Sequence, residues 1–148
     1  MLTRRTFLGG IAITAAVAFG AYAFWPGARQ SAGVSMTPPE ALAAARDGSV
    51  ILVDIRRPEE WQTTGLAEGA VPIDMRRSDF ISALQAEQGN SARPVALICA
   101  RGVRSRRLAA ALTDAGLSGV IDVPEGMLGS RAGPGWIARD LPVVPWSG

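Results

Sequence analysis

The sequence predicts an α/β domain with a mostly parallel central sheet flanked by helices. Three observations carry that expectation. Two short, unbroken apolar runs, Val50-Ile51-Leu52-Val53 and Val95-Ala96-Leu97-Ile98, are followed by a third β-branched run, Val120-Ile121-Asp122-Val123. Helix-length segments with an apolar stripe precede or follow each run. The first two runs do not alternate with polar residues, as a half-solvated antiparallel strand would, so both of their faces are covered.

The elements follow in chain order. Thr37 with Glu40 three positions later has the form of a capping box, and Pro38 suits the first helical position. Ala41, Leu42, Ala44 and Ala45 give that helix its apolar face, and Gly48 ends it. The first strand runs to Asp54. Pro58 opens a short turn or helix through Glu59, Glu60 and Trp61. Ala70-Val71-Pro72-Ile73 is a short strand that Pro72 confines to an edge or an end. Residues 78–86 form a helix expected to bury Phe80, Ile81 and Leu84. Cys99 sits at the C-terminal end of the second apolar run. Residues 104–115 follow as a helix, with Leu108, Ala109, Ala111, Leu112 and Ala115 at helical spacing and Gly116 as the stop. Residues 134–139 suit a short helical turn before Leu141-Pro142-Val143-Val144. Trp61 and Trp136 suit the core or a pocket rim.

The N-terminal segment has a different character. Arg4 and Arg5 precede an uncharged run, Thr6 to Trp25, which is the layout of an export signal. Thr3-Arg4-Arg5-Thr6-Phe7-Leu8 resembles the twin-arginine signal that carries folded bacterial proteins across the inner membrane. Ala21-Tyr22-Ala23 offers a small-x-small cleavage pattern. A retained anchor is the other reading, since about 20 residues of helix span a bilayer. The expected organisation is thus an export signal or membrane anchor over 1–25, a small-residue linker over 26–36, and one domain over 37–148. A periplasmic location follows from this expectation, with membrane contact only if the first segment is retained.

Composition narrows the chemistry. The 148 residues contain one cysteine and no histidine. That excludes an internal disulfide, Ser-His-Asp and Cys-His catalysis, and histidine or tetrathiolate metal sites. No metal and no cofactor are expected. All 15 basic residues are arginine, so none serves as a general base near neutral pH. Once the N-terminal arginines are set aside the charge is close to balanced, which gives no argument for a nucleic-acid partner. A monomer is expected.

The general rule for open parallel sheets puts the site at the C-terminal strand ends, where Asp54 and Cys99 both fall. The stretch Cys99-Ala100-Arg101-Gly102-Val103-Arg104-Ser105 joins a buried strand to a helix. There the amides of residues 100–104 converge with the positive end of the helix, Gly102 permits a tight turn, and Arg101 and Arg104 add full charges. Such a cradle stabilises a thiolate and holds an anion beside it. The pattern alone leaves a second reading open, in which Cys99 is a small buried core residue.

On these residues the chain resembles the rhodanese family of sulfurtransferases. The loop has the family's form of a cysteine, two residues, glycine, one residue, arginine and serine. It spans six residues from Cys99 to Arg104. The similar cell-cycle phosphatases of dual specificity carry seven, a size that suits phosphate, so a phosphatase or arsenate reductase is the less favoured reading. Asp54-Ile55-Arg56-Arg57-Pro58-Glu59-Glu60-Trp61 resembles the family's first signature. Gly65 to Ile73, Asp122 to Met127, and Gly135-Trp136 through Val143 resemble three more. Two departures stand out. Leu66 and Glu68 replace the usual histidine and proline. The late glycine pair is reduced to Gly126 followed by Met127, which is expected to narrow or reshape the pocket.

The resemblance implies a sulfurtransferase. Cys99 attacks the outer sulfur of thiosulfate or a similar small anionic donor, a persulfide forms, and a thiol or cyanide takes the sulfur away. Ala100, Arg101, Gly102, Val103 and Arg104 bind the anion. Asp54, Arg56 and Ser105 order the site, the first two through a charge-assisted pair. The alternative is a periplasmic persulfide carrier or protein-binding module without turnover of its own.

Overall fold

The computed structural model describes residues 34–148. The readings of Arg4-Arg5, of the uncharged run, of Ala21-Tyr22-Ala23 and of most of the 26–36 linker lie outside the described residues. Among the described residues no helix is long and apolar enough to cross a membrane.

The elements are α1 (Pro38–Asp47), β1 (Ile51–Asp54), α2 (Pro58–Thr64), β2 (Leu66–Ala67), β3 (Val71–Pro72), α3 (Phe80–Gln88), β4 (Val95–Ile98), α4 (Val103–Asp114), β5 (Val120–Asp122), a 3-10 turn (Ile137–Arg139) and β6 (Val143–Val144). Four strands form a sheet in the order β3-β1-β4-β5, and every pairing in it is parallel. The α/β class with a mostly parallel sheet is therefore the one the apolar runs predict.

Each apolar run divides its side chains between the two faces. Leu52, Ala96, Ile98, Ile121 and Val123 pack with Ala41 and Leu42 of α1, Met127 and Trp136. Ile51, Val53, Val95, Leu97, Cys99 and Val120 pack on the other side with Phe80 and Leu84 of α3 and Leu112 of α4. Burial on both faces explains why β1 and β4 lack a period-two polarity pattern. Local signals set the ends. The Glu40 carboxylate accepts hydrogen bonds from the Thr37 N–H and hydroxyl, both at 2.7 Å. Gly48 takes the left-handed conformation (φ 76°) that stops α1.

Several boundaries and faces differ from the sequence expectation. The third helix covers Phe80–Gln88 instead of 78–86, and Ile81 is 42% exposed. Phe80 and Leu84, four apart, define the buried stripe, and Ile81 turns about 100° away from it. In α4 the inward positions are Ser105, Leu108, Ala109 and Leu112, while Ala111 and Ala115 face solvent. The antiparallel pairing of β2 with β6, Leu66 opposite Val144 and Ala67 opposite Val143, is not foreshadowed in the sequence. Two-residue strands leave no periodicity to detect, and the β6 valines are exposed. Val34–Met36, the end of the segment read as linker, lie along the outer edge of β5. Met36 N–H donates to the Asp122 carbonyl and Asp122 N–H to the Val34 carbonyl, each at 3.0 Å. A sheet edge that would otherwise present free backbone groups is thereby covered.

Leu52 is 1% exposed in the middle of the α1-facing core. Leu52→Ala is expected to destabilise the domain by about 2–5 kcal/mol through lost burial and a residual cavity. A denaturant titration reads this as a lower midpoint with an unchanged slope.

Candidate active site

The C-terminal ends of β1 and β4 lie side by side, Asp54 level with Ile98. Cys99 follows directly and is 1% exposed. Its Sγ–H donates to the Ser105 hydroxyl oxygen across 3.5 Å. The loop that contains it is clamped from beneath by the chain after β5. Met127 N–H donates to the Cys99 carbonyl at 2.9 Å, and Leu128 N–H to the Ala100 carbonyl at 2.8 Å. With these carbonyls tied back, the amides of residues 100–105 find no acceptor among the described residues. Six unpaired N–H groups at a strand end and a helix start are the kind of arrangement that can hold an anion.

Two glycines make this wrapping possible. Gly102 adopts φ 74°, and a Cβ there would collide with the Pro124 carbonyl. Gly126 adopts φ 67°, and its Cβ would lie 2.6 Å from the Ala100 carbonyl oxygen. Neither position accepts a side chain without pushing the loop away from its support.

Asp54 and Arg56 form a buried ion pair, 0% and 1% exposed. Arg56 Nε lies 2.9 Å from Oδ1 and Nη2 lies 2.7 Å from Oδ2. The remaining donors hold the end of α2, through the Thr64 hydroxyl at 2.6 Å and the Gly65 carbonyl at 2.7 Å. Satisfying this many donors is what makes a buried guanidinium tolerable. Arg56 also borders a cleft of about 290 Å³ with Glu59, Glu60, Thr63, Thr64 and Leu128.

The loop residues divide by role. Gly102 and Ser105 are buried, Ala100 and Arg104 half-buried, Arg101 and Val103 exposed. The Arg104 side chain differs from the expected free anion binder. Its guanidinium grips Glu60 of α2 in a bidentate pair, Nη1 to Oε2 at 2.8 Å and Nη2 to Oε1 at 2.6 Å. Arg101 forms no ion pair among the described residues. The hydrogen bonds from Arg104 hold the Glu60 carboxyl below its ordinary range, against the opposing effect of burial.

Both departures from the expected motif have a place in the packing. Leu66 is buried in β2, where an apolar side chain suffices, and Glu68 pairs with Arg46 at 2.7 Å. Met127 is 0% exposed and packs in the α1-facing core with Trp136, on the opposite side of the sheet from Cys99. It therefore does not narrow the site. Glu125 is buried and binds the Gly135 N–H at 3.0 Å and the Arg139 guanidinium at 2.8 Å. Trp61 is buried and meets Trp146 edge to face at 5.2 Å.

Sequence reasoning missed Glu60 and Asp122 as site residues. Glu60 stood in a recognised signature but gave no sign of its partner 44 residues away. Asp122 showed a signal, a lone acid inside an apolar strand. Its register partner is Leu97, so it shares the α4-facing side of the sheet with Cys99. It is 8% exposed, and its Oδ1 has no hydrogen-bond partner among the described residues.

The depressed Glu60 carboxyl sets a pH dependence. Its contribution to stability is complete above the unfolded-state value of about 4.5 and is lost as pH falls through the lower folded-state value. Glu60→Gln is expected to flatten the loss of stability between about pH 5 and pH 3. Denaturation midpoints across that range, for both proteins, check it.

Comparison with known proteins agrees with this geometry. A family model described as a rhodanese-like domain matches residues 37–131. A search of curated proteins gives no match. Among solved structures, the polysulfide-sulfur transferase homodimer of Wolinella succinogenes superposes with TM-score 0.57 at 22% identity, over 78% of this chain and 81% of that one. Rv0390 from M. tuberculosis gives TM-score 0.56 at 25% identity, over 78% and 97%. The reduced CoADR-RHD of Bacillus anthracis gives 0.53 at 21%, over 64% of this chain but only 16% of the other. With a family model matched across most of the described chain and a cysteine loop of the same form at the strand end, the protein belongs to the rhodanese-like domain family.

Proposed function

We propose that the protein is a sulfurtransferase that moves a sulfane sulfur from thiosulfate or a similar anionic donor to a thiophilic acceptor through a persulfide on Cys99. The observation that carries this reading is the set of unpaired amides of residues 100–105 around the only thiol. The Cys99 thiolate attacks the outer sulfur of the donor. A Cys99 S–S bond forms, the S–S bond of thiosulfate breaks, and sulfite departs with its electron pair. The terminal sulfur carries the negative charge, and the cradle amides donate to it. A thiol or cyanide then attacks that sulfur and releases the thiolate.

The cradle supports this step without an added base on the loop. Its donors are fixed by the backbone, so they need no reorganisation as charge develops. Exposed Arg101 suits capture of the incoming anion. The Arg104 pair with Glu60 ties α4 to α2 beside a cleft of about 430 Å³ lined by Arg57, Glu59, Glu60 and Arg104. Its side chain thereby serves the shape of the entrance more than its charge. The proposal includes no metal and no cofactor.

Export through the twin-arginine route, with action in the periplasm or at the periplasmic face of the inner membrane, is part of the same proposal. It rests on Arg4-Arg5 ahead of Phe7-Leu8 and on the uncharged run that follows them. Replacing Arg4 and Arg5 by lysine is expected to leave precursor in the cytoplasm. Cell fractionation with immunoblotting tests it, and normal export of the double-lysine form argues for the general secretory route.

Cys99→Ser is expected to lower thiosulfate:cyanide sulfurtransfer by more than roughly a thousandfold, as loss of a nucleophile does. Circular dichroism is expected to be unchanged, since the replacement is near-isosteric. Wild-type protein exposed to thiosulfate should gain one sulfur atom by intact mass, and the variant none. Undiminished turnover in the folded variant would remove the mechanism.

A further inference from the structure

The Cys99 thiol has to lose a proton to become a nucleophile, and neither the cradle amides nor the arginines can take one. The structure points to where that proton goes. The thiol donates to Ser105 Oγ at 3.5 Å, and both residues are buried, at 1% and 0% exposure. Ser105 lies in the first turn of α4, on the face that packs against β4 and β5. Asp122 pairs in register with Leu97, so its side chain leaves the sheet toward that same face. Its carboxyl is buried with one oxygen unpartnered among the described residues. A cysteine, a hydroxyl and a carboxyl with one unpartnered oxygen thus share one buried layer between sheet and helix.

On the sulfurtransferase reading, we infer that Ser105 and Asp122 form a buried proton path that accepts the Cys99 proton as the sulfur attacks its donor. The transfer balances without any other reactant. The Cys99 proton passes to Ser105 Oγ while the Ser105 hydroxyl proton passes to the Asp122 carboxylate. The result is a thiolate, an intact serine and a neutral carboxylic acid. The pair of Cys99 and Asp122 carries one proton throughout, and the layer never holds two negative charges. When the acceptor removes the sulfur and the thiolate is released, the same path returns the proton.

The surroundings suit that role. Burial raises the Asp122 carboxyl above the ordinary aspartate value, which makes its anion a better proton acceptor than an exposed carboxylate. The Ser105 hydroxyl from α4, the Arg106 charge from the same helix and the neighbouring Val123 amide oppose that rise without cancelling it. From β4 the facing group is Cys99 itself. The Val34–Met36 segment brings only backbone hydrogen bonds to the Asp122 main chain. A purely structural aspartate would be expected to satisfy both oxygens, because an orphaned buried acceptor costs about 1–3 kcal/mol.

The test is the pH dependence of Cys99 alkylation by iodoacetamide, a neutral reagent, in wild type, Asp122→Asn, Ser105→Ala and the double variant. In wild type the reactive form appears once the pair has lost its first proton. Asp122→Asn keeps the side-chain shape but cannot accept a proton. Its acid limb is expected to move to higher pH by about one unit, a tenfold slower reaction on that limb. Ser105→Ala should give the same shift, and the double variant no further one. A limb that stays in place, or moves to lower pH, overturns the inference. The downward move is what simple removal of a negative charge beside a thiol produces. Intact mass after thiosulfate treatment is read separately. Absence of sulfur uptake by wild type would overturn the sulfurtransferase reading, whereas the alkylation limbs decide the proton path.

Discussion

The geometry of the site depends on two backbone hydrogen bonds, from Met127 N–H to the Cys99 carbonyl and from Leu128 N–H to the Ala100 carbonyl. A strand that ends without a partner sends its next peptide groups in no fixed direction. Here the carbonyls of the first two loop residues are drawn toward the chain after β5. The following amides, those of residues 100–105, are left without an acceptor among the described residues. The positive φ of Gly102 and the close approach of Gly126 to Cys99 and Ala100 are consequences of that wrapping. So is the burial of Met127, which anchors the supporting chain in the α1-facing core.

Helix α2 is tied to this framework by two ion pairs of different character. Asp54 and Arg56 are fully enclosed, and every strong donor direction of the guanidinium is used. Breaking one partner would strand a buried charge, at about 3–5 kcal/mol. Glu60 and Arg104 are each about 30% exposed, at 30% and 31%. That pair joins α2 to the first turn of α4, and solvent screens it, so its energetic weight is smaller. The deep pair fixes where α2 ends. The shallower pair fixes how closely α2 approaches the loop.

Much of this was legible in the sequence, for identifiable reasons. The β1 and β4 runs, the Thr37–Glu40 cap and the cysteine loop are local patterns, and local patterns survive in one dimension. The strand-end placement of Asp54 and Cys99 followed from those runs and the rule for parallel sheets. The β2–β6 ribbon was not legible, since two-residue strands with exposed valines carry no periodicity. The grip of Arg104 on Glu60 was hidden by 44 residues of separation and by a plausible competing use for arginine near an anion. Ile81 was misread because apolarity alone does not fix a side chain's angle around a short helix. Asp122 was visible as an acid in an apolar strand, but its meaning required knowing that α4 places Ser105 on the same face.

The charge balance around the sulfur gives the site its character. Arg56 is neutralised by Asp54 and Arg104 by Glu60, so neither guanidinium presents a free charge to an incoming anion. On the proposed reading, attraction then falls to Arg101 and Arg57, both exposed and without an ion pair among the described residues, at long range and to the peptide dipoles at short range. Salt screens the first beyond a Debye length of about 8–10 Å and leaves the second nearly untouched. A helix N-terminus supplies about half an elementary charge and is fixed in direction. A site of this kind favours a small anion whose charge settles on one terminal atom beside the sulfur. On the proposed sulfurtransferase reading, the anion that best meets this condition is the one formed in place, the terminal sulfur of a Cys99 persulfide.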